Sequence, residues 1–208
     1  MHFIDHENRH LFEAELTRMH LHRRQVFIDR LGWTLPITNG LEIDQFDTPD
    51  TSYLLITDPA DGHLLGSARL IPTDRPHLMD ALFADLCTGG VPRGPQIWEV
   101  SRFCTDPAIE DRARRLAVLE ELFCGLMESA LLFGYERLTF VIGMALVPHV
   151  IACGWDVSPL GMPRSDGGDK IAAFSVNVTP PGLRNVREYA GITRPVIRYQ
   201  PGQVQIAA

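Results

Sequence analysis

Between two apolar runs, residues 96–103 and 137–142, Leu116, Leu119, Phe123, Met127, Ala130 and Leu131 recur at helical intervals until Gly134. A strand, a long helix and a second strand in succession point to a mixed α/β fold. The neighbouring segments agree. Residues 53–57 and 64–71 are apolar and joined by the turn-rich 58–62, which predicts a β-hairpin. Phe12, Leu16, Met19, Val26 and Phe27 fall among charges at helical spacing over residues 8–30, which predicts two amphipathic helices, the second ending at Gly32. Thr105, Asp106 and Pro107 read as the start of the long helix. A short helix before Gly154 and a strand over 171–178 complete the pattern. The expected fold is a single-domain αβα sandwich over residues 1–208 with a mixed sheet.

Composition narrows the class further. The 208 residues carry 45% hydrophobic side chains, enough for a full core, and no low-complexity linker, and the short Pro/Gly clusters at 89–95 and 180–182 read as loops. The net charge of −7 argues against a nucleic-acid backbone as partner. All the basic residues but Lys170 are arginines, whose planar forks suit carboxylate and phosphate. Cys87, Cys104, Cys124 and Cys153 form no Cys-x-x-Cys pair, and the first residues lack a secretory apolar region, so a cytoplasmic location is expected. The most membrane-like stretch, 138–155, is broken by Gly143, Pro148 and His149, and no membrane span is expected. The tail Pro201–Ala208 is uninformative and reads as frayed.

The chemistry-bearing residues cluster early. Arg23 and Phe27 stand four apart on one helical face, Trp33 follows the helix end, and in the segment from Glu42 to Asp47 the acids Asp44 and Asp47 sit three apart in a loop. Each alone reads as a surface or core residue. Further on come Gly66 to Leu70 with Arg69, then Phe83, then Trp98, Glu99, Val100, Ser101, Arg102 and Phe103. The set as a whole resembles the acyl-homoserine-lactone (autoinducer) synthases of the LuxI type, with the form R-x-x-x-F-x-x-x-x-x-W followed by E-x-D-x-x-D and then the Arg69 and Glu99 to Arg102 positions. Matching positions run in order through the first half; the second half matches in outline only.

That resemblance implies a fold related to the N-acetyltransferase (GNAT) superfamily. It also implies a reaction in which S-adenosylmethionine serves as substrate, with no tightly bound cofactor, and acyl carrier protein or acyl-CoA supplies the acyl group, the carrier protein being preferred. An amide forms when the methionyl amine attacks the thioester, which requires a proton acceptor and a donor to the oxyanion. A lactone then closes as the substrate carboxylate displaces the thioether.

Glu99, Ser101 and Arg102 are the expected catalytic residues, with Glu99 as proton acceptor because an acid in an apolar strand has a raised pKa. A plain ion pair of Glu99 with Arg69 or Arg102 is the alternative. In a regular strand Glu99 and Ser101 share one face and Arg102 the other unless a bulge intervenes, so Arg102 and Arg69 are assigned to tying Asp44 and Asp47 onto the sheet. Arg23, Phe27, Trp33, Asp44, Asp47 and Arg69 are placed on the S-adenosylmethionine side, Arg23 for its carboxylate and the two rings for adenine or the sulfonium. Packing is the alternative for the rings.

An acyl slot between sheet and long helix would be lined by Phe83, Leu122, Phe123, Leu126, Met127, Phe140, Ile142 and Met144. By resemblance, the region after the Phe140 strand influences the acyl group, and Ile142, Gly143 and Met144 there weigh against a 3-oxo chain. Arg112, Arg114 and Arg115, at the expected helix start, could form a patch for the acidic carrier protein. No metal site is expected from His6, His10, His20 and His22, and phosphate-binding glycine loops are absent. Another acyl-CoA N-acyltransferase and a non-catalytic S-adenosylmethionine or carrier-binding relative remain as alternatives. The missing pyrophosphate loop weighs against the first, the intact acids and arginines against the second.

Overall fold

The computed structural model describes residues 1–202; the expectation for the tail beyond that lies outside the described residues. The elements are β1 (His2–Ile4), α1 (Glu13–Arg23), β2 (Ile37–Thr38), β3 (Leu41–Glu42), β4 (Ser52–Thr57), β5 (Leu64–Pro72), α2 (Leu78–Leu82), β6 (Ile97–Thr105), α3 (Arg112–Leu132), β7 (Arg137–Gly143), α4 (Val147–Ala152), β8 (Asp156–Pro159), β9 (Arg164–Asp166), β10 (Asp169–Asn177) and α5 (Pro180–Ala190). The main sheet has the order β1-β4-β5-β6-β7-β10-β8, with β9 on β10. Every pairing in it is antiparallel except β6 with β7, which the α3 crossover makes parallel.

The two faces of the sheet bury different chemistry. Leu54, Leu70, Val100, Leu138 and Phe140 alternate onto the face covered by α3, whose Leu122, Leu126 and Met127 close the main core. Tyr53, Arg69, Ser101, Glu99 and Thr139 are register partners or alternate neighbours on the other face. The N-terminal segments and α2 supply the cover there.

Three expectations need correction. The N-terminal region forms one helix, because α1 continues without a break into a π-helical segment, Arg24–Arg30, before Gly32 ends it at φ +70°. The long helix begins at Arg112 with Asp111 as its cap, the carboxylate accepting from the Ala113 N–H at 2.9 Å. Asp106 instead folds the chain over itself, accepting from Ala108 N–H and pairing with His63 at 2.6 Å, while β6 runs on through Thr105. Pro180, Pro181 and Gly182 are not a loop but the first turn of α5, capped by Thr179, since proline suits a helix start that has no partner for its missing N–H. No helix among the described residues is long and apolar enough to cross a membrane.

Candidate active site

Three buried arginines and three carboxylates meet on the polar face. Arg23 of α1 donates to both Asp47 oxygens at 2.8 and 2.9 Å and pairs with Glu42. Arg69 of β5 grips Asp44 at 2.6 and 3.1 Å and gives its Nε to Ser101 Oγ at 2.9 Å. Arg102 bridges Glu42 at 3.0 Å and Asp44 at 2.9 Å. Tyr53 adds a hydroxyl to Asp47 at 2.9 Å. Burial alone would raise the Asp47 pKa, but the Arg23 hydrogen bonds and the charges of Arg69 and Arg23 outweigh it and hold the carboxyl far below the usual range. The same acids hold Arg23 protonated against its own burial.

Asp44 and Asp47 on Arg69 and Arg102 follow the expected tie of the acidic loop to the sheet. Arg23 does not keep a free fork. It is fully buried and its donors are taken, so it braces the acidic loop rather than presenting an open carboxylate site. Glu42, quoted within the acidic motif but given no task, proves to be the hub between Arg23 and Arg102. Its place as a third acid two residues before Asp44 was the available signal.

Arg102 reaches this network because β6 is not regular. Between the pairs Ser67 with Cys104 and Arg69 with Ser101, β5 advances two residues and β6 three, a β-bulge, and Arg102 sits within it at φ +48°. The bulge turns Arg102 toward the same loop that Arg69 holds, the exception under which the two faces of a regular strand no longer separate them. A non-glycine residue in this backbone region is strained, and the paired guanidinium holds it there.

Glu99 is fully buried and pairs with neither arginine. Its two oxygens accept from the Met79 N–H at the start of α2, at 2.9 and 3.0 Å. Burial pushes its pKa up to about 7; the Met79 N–H and the charge of Arg69 oppose but do not cancel that. It is therefore a carboxyl poised to take a proton near neutral pH. β6 pairs with β7 only from Ile97 to Val100, so the two strands diverge just beyond Glu99.

The rings stand beside the network. Phe27 is buried and stacks on Trp33 at 5.0 Å, with the Arg102 guanidinium 5.6 Å over its face, while Trp33 is 49% exposed. The eight residues named for an acyl slot divide among three places. Leu122, Phe123, Leu126, Met127 and Phe140 are packed in the main core. Ile142 and Met144 are half-buried where β6 and β7 have separated, and Phe83 lies across the sheet with Met79, Leu86 and Cys87. In the arginine patch, Arg112 is exposed but Arg114 pairs with Asp58 at 2.6 Å and Arg115 is half-buried. Among the described residues, no three His, Cys, Asp or Glu side chains are grouped to hold a metal.

The class to which this mixed-sheet fold, with its arginine–carboxylate frame and buried glutamate, belongs is given by comparison with known proteins. The family described as Autoinducer synthase matches residues 7–182. The chain is 47% identical to an acyl-homoserine-lactone synthase of Ralstonia solanacearum over 162 residues, covering 76% of this chain and 79% of that protein. It is 33% identical to an isovaleryl-homoserine lactone synthase of Bradyrhizobium diazoefficiens over 165 residues, 78% of this chain and 73% of that one. Among solved structures it superposes on BjaI, a CoA-dependent acyl-homoserine lactone synthase seen with SAM and isopentyl-CoA, with a TM-score of 0.88, 28% identity and coverage of 98% and 94%. An acyl-CoA N-acyltransferase from Pseudomonas aeruginosa, 15% identical with a TM-score of 0.54, shares the fold. This chain belongs to the autoinducer synthase family and is an acyltransferase of the acyl-homoserine-lactone synthase kind.

Proposed function

We propose that the protein joins S-adenosylmethionine to an acyl thioester and releases an N-acyl-L-homoserine lactone, a quorum-sensing signal, together with methylthioadenosine and the free thiol. The observation that carries this reading is Glu99, a buried carboxyl with a pKa near 7, held by a backbone N–H beside the arginine frame at the point where β6 and β7 diverge.

The amide step needs a neutral amine. Glu99 accepts the proton that the methionyl nitrogen loses as it attacks the thioester carbonyl, and the carbonyl collapses with loss of the thiolate. Ser101 accepts from Arg69, which leaves its own hydroxyl proton free to donate to the oxyanion. In the second step the substrate carboxylate attacks its γ-carbon and the C–S bond of the sulfonium breaks, a displacement governed by how closely the ends are held. Phe27 and Trp33 offer aromatic faces to adenine or the sulfonium, with Arg102 a structural and catalytic support between the rings and the acids. Arg23, Asp44, Asp47 and Arg69 shape the wall of that site. For the acyl chain, Ile142 and Met144 at the divergence of β6 and β7 are the entry, with Phe140 and the α3 residues behind them and Phe83 across the sheet.

For the donor, acyl-CoA is favoured by the likeness over nearly the whole chain to BjaI, a CoA-dependent synthase. The carrier-protein reading retains Arg112 and Arg115 near the α3 start, but Arg114 is already engaged by Asp58. The four cysteines, unpaired and buried, support a reducing cytoplasm. Mass spectrometry of medium from a signal-negative bacterial host expressing the chain tests the reading. A homoserine-lactone fragment ion is expected with the wild type, and its absence despite folded protein would overturn the proposal. Kinetics with matched acyl-CoA and acyl-carrier substrates decide the donor. Charge reversal of Arg112, Arg114 and Arg115 should leave KM for acyl-CoA unchanged.

A further inference from the structure

The carboxylate of Glu99 is met by backbone N–H groups at the start of α2, Met79 at 2.9 and 3.0 Å from its two oxygens with Leu78 beside it, which leaves part of its accepting capacity unused. Thr139 on β7 lies opposite Glu99 in the parallel register, on the same face of the sheet. It is fully buried, and its Oγ1 bonds to no protein atom. Ser175 of β10 is the register partner of Thr139, and the exposed Ser158 of β8 is the partner of Ser175. One row of polar side chains thus crosses four strands, from a buried carboxyl through a buried hydroxyl toward the surface. A threonine buried for packing alone would face apolar neighbours. Thr139 has a carboxyl on one flank and a hydroxyl on the other, and buried polar groups of this kind are satisfied by protein or ordered water.

We propose that Thr139 is a positioning residue for Glu99: its unpartnered hydroxyl holds one bridging water against the Glu99 carboxylate, where that water relays the substrate's amine proton. This rests on Glu99 being the proton acceptor, as above. In the relay the amine N–H breaks and the water takes that proton while giving one of its own to Glu99. The water is regenerated and Glu99 gains one proton. A donor aimed at the carboxylate favours its ionised form. The other charged or titratable groups acting on Glu99 are Arg69 from β5, Asp80 from α2 and the Cys87 thiol, none of them on β7.

The test compares wild type, Thr139→Val, which keeps the shape and removes the hydroxyl, and Thr139→Ser, which keeps the hydroxyl. The Glu99 carboxyl is titrated by carbon NMR in the unliganded protein, and kcat/KM for S-adenosylmethionine is followed against pH. In Thr139→Val the Glu99 titration and the acid limb of kcat/KM should both move up by about 0.5–1 pH unit. Turnover at pH 7 should fall by about 5–30-fold, a modest share of what general-base catalysis supplies. Thr139→Ser should match wild type on both readouts. An unmoved carboxyl titration in Thr139→Val, or a Thr139→Ser as impaired as Thr139→Val, would overturn the proposal. If wild type makes no lactone, the functional reading fails while the NMR titration still decides the role of Thr139.

Discussion

Glu99 shows how burial sets both a reactivity and a cost. Its pKa in the folded protein is about 7, against an ordinary value of 4.5. Between those two pH values the unfolded chain releases a proton that the folded chain retains, so stability falls as pH rises through that window and then levels off. Glu99→Gln has no such penalty. It should lose about 10²–10⁴ in kcat/KM, yet unfold on the order of a few degrees higher than wild type at pH 8, with the gap closing below pH 4.5. Thermal melts at the two pH values check the sign. Arg23 is the opposite case, since removing it strands Glu42 and Asp47 as buried charges. Arg23→Ala should lose about 3–5 kcal/mol in chemical denaturation, and Arg23→Lys should recover little because one ammonium cannot span both carboxylates. Trp33 is half exposed, so Trp33→Ala should weaken S-adenosylmethionine binding by calorimetry while moving the melting temperature little. A large loss of stability with binding intact would make the ring a packing residue.

Elements decide which of these residues can meet. The tie of Asp44 and Asp47 to Arg69 and Arg102 was legible from the ordered set of acids and arginines, whereas that of Arg23 was not, because a helix arginine among other charges carries no mark of burial. The bulge by which Arg102 reaches the acidic loop was not legible either, because one extra residue in β6 reverses the alternation and leaves no period in the sequence. The same limit applies to α2: five residues are too few to show a helical stripe, yet its first turn supplies the N–H that holds Glu99. The segment after α2 leans on the far edge of the sheet, where a Cβ on Gly161 would lie 2.3 Å from the Leu86 carbonyl oxygen and 2.9 Å from Thr88 Oγ1. Gly161→Ala must therefore push residues 86–88 away. The expected result is a loss of about 1–3 kcal/mol, typical of overpacking, with turnover lowered more than S-adenosylmethionine affinity as the Met79 contact loosens.

Across the whole molecule, the strand–helix–strand order of β6, α3 and β7 was readable from helical periodicity and fixed the single parallel pair in the main sheet. The short edge strands β1, β8 and β9 were not, since three or four residues carry no decisive pattern. Nor did the sequence tell a core-lining side chain from a pocket-lining one: Leu122, Leu126 and Met127 have the same apolar signature either way, and only the packing of α3 against the sheet placed them inside. The division of labour that results is simple, with one sheet face spent on an apolar core and the other on an ion-paired frame around one protonatable glutamate.

The most direct measurement incubates purified protein with S-adenosylmethionine and a panel of acyl-CoA thioesters and quantifies both products by mass spectrometry, with Glu99→Gln alongside. Acyl-homoserine lactone and methylthioadenosine should appear in equal amounts with wild type and fall together, by two or more orders of magnitude, in the variant. A wild type that binds S-adenosylmethionine but releases neither product, or a Glu99→Gln that turns over as wild type does, would contradict the account.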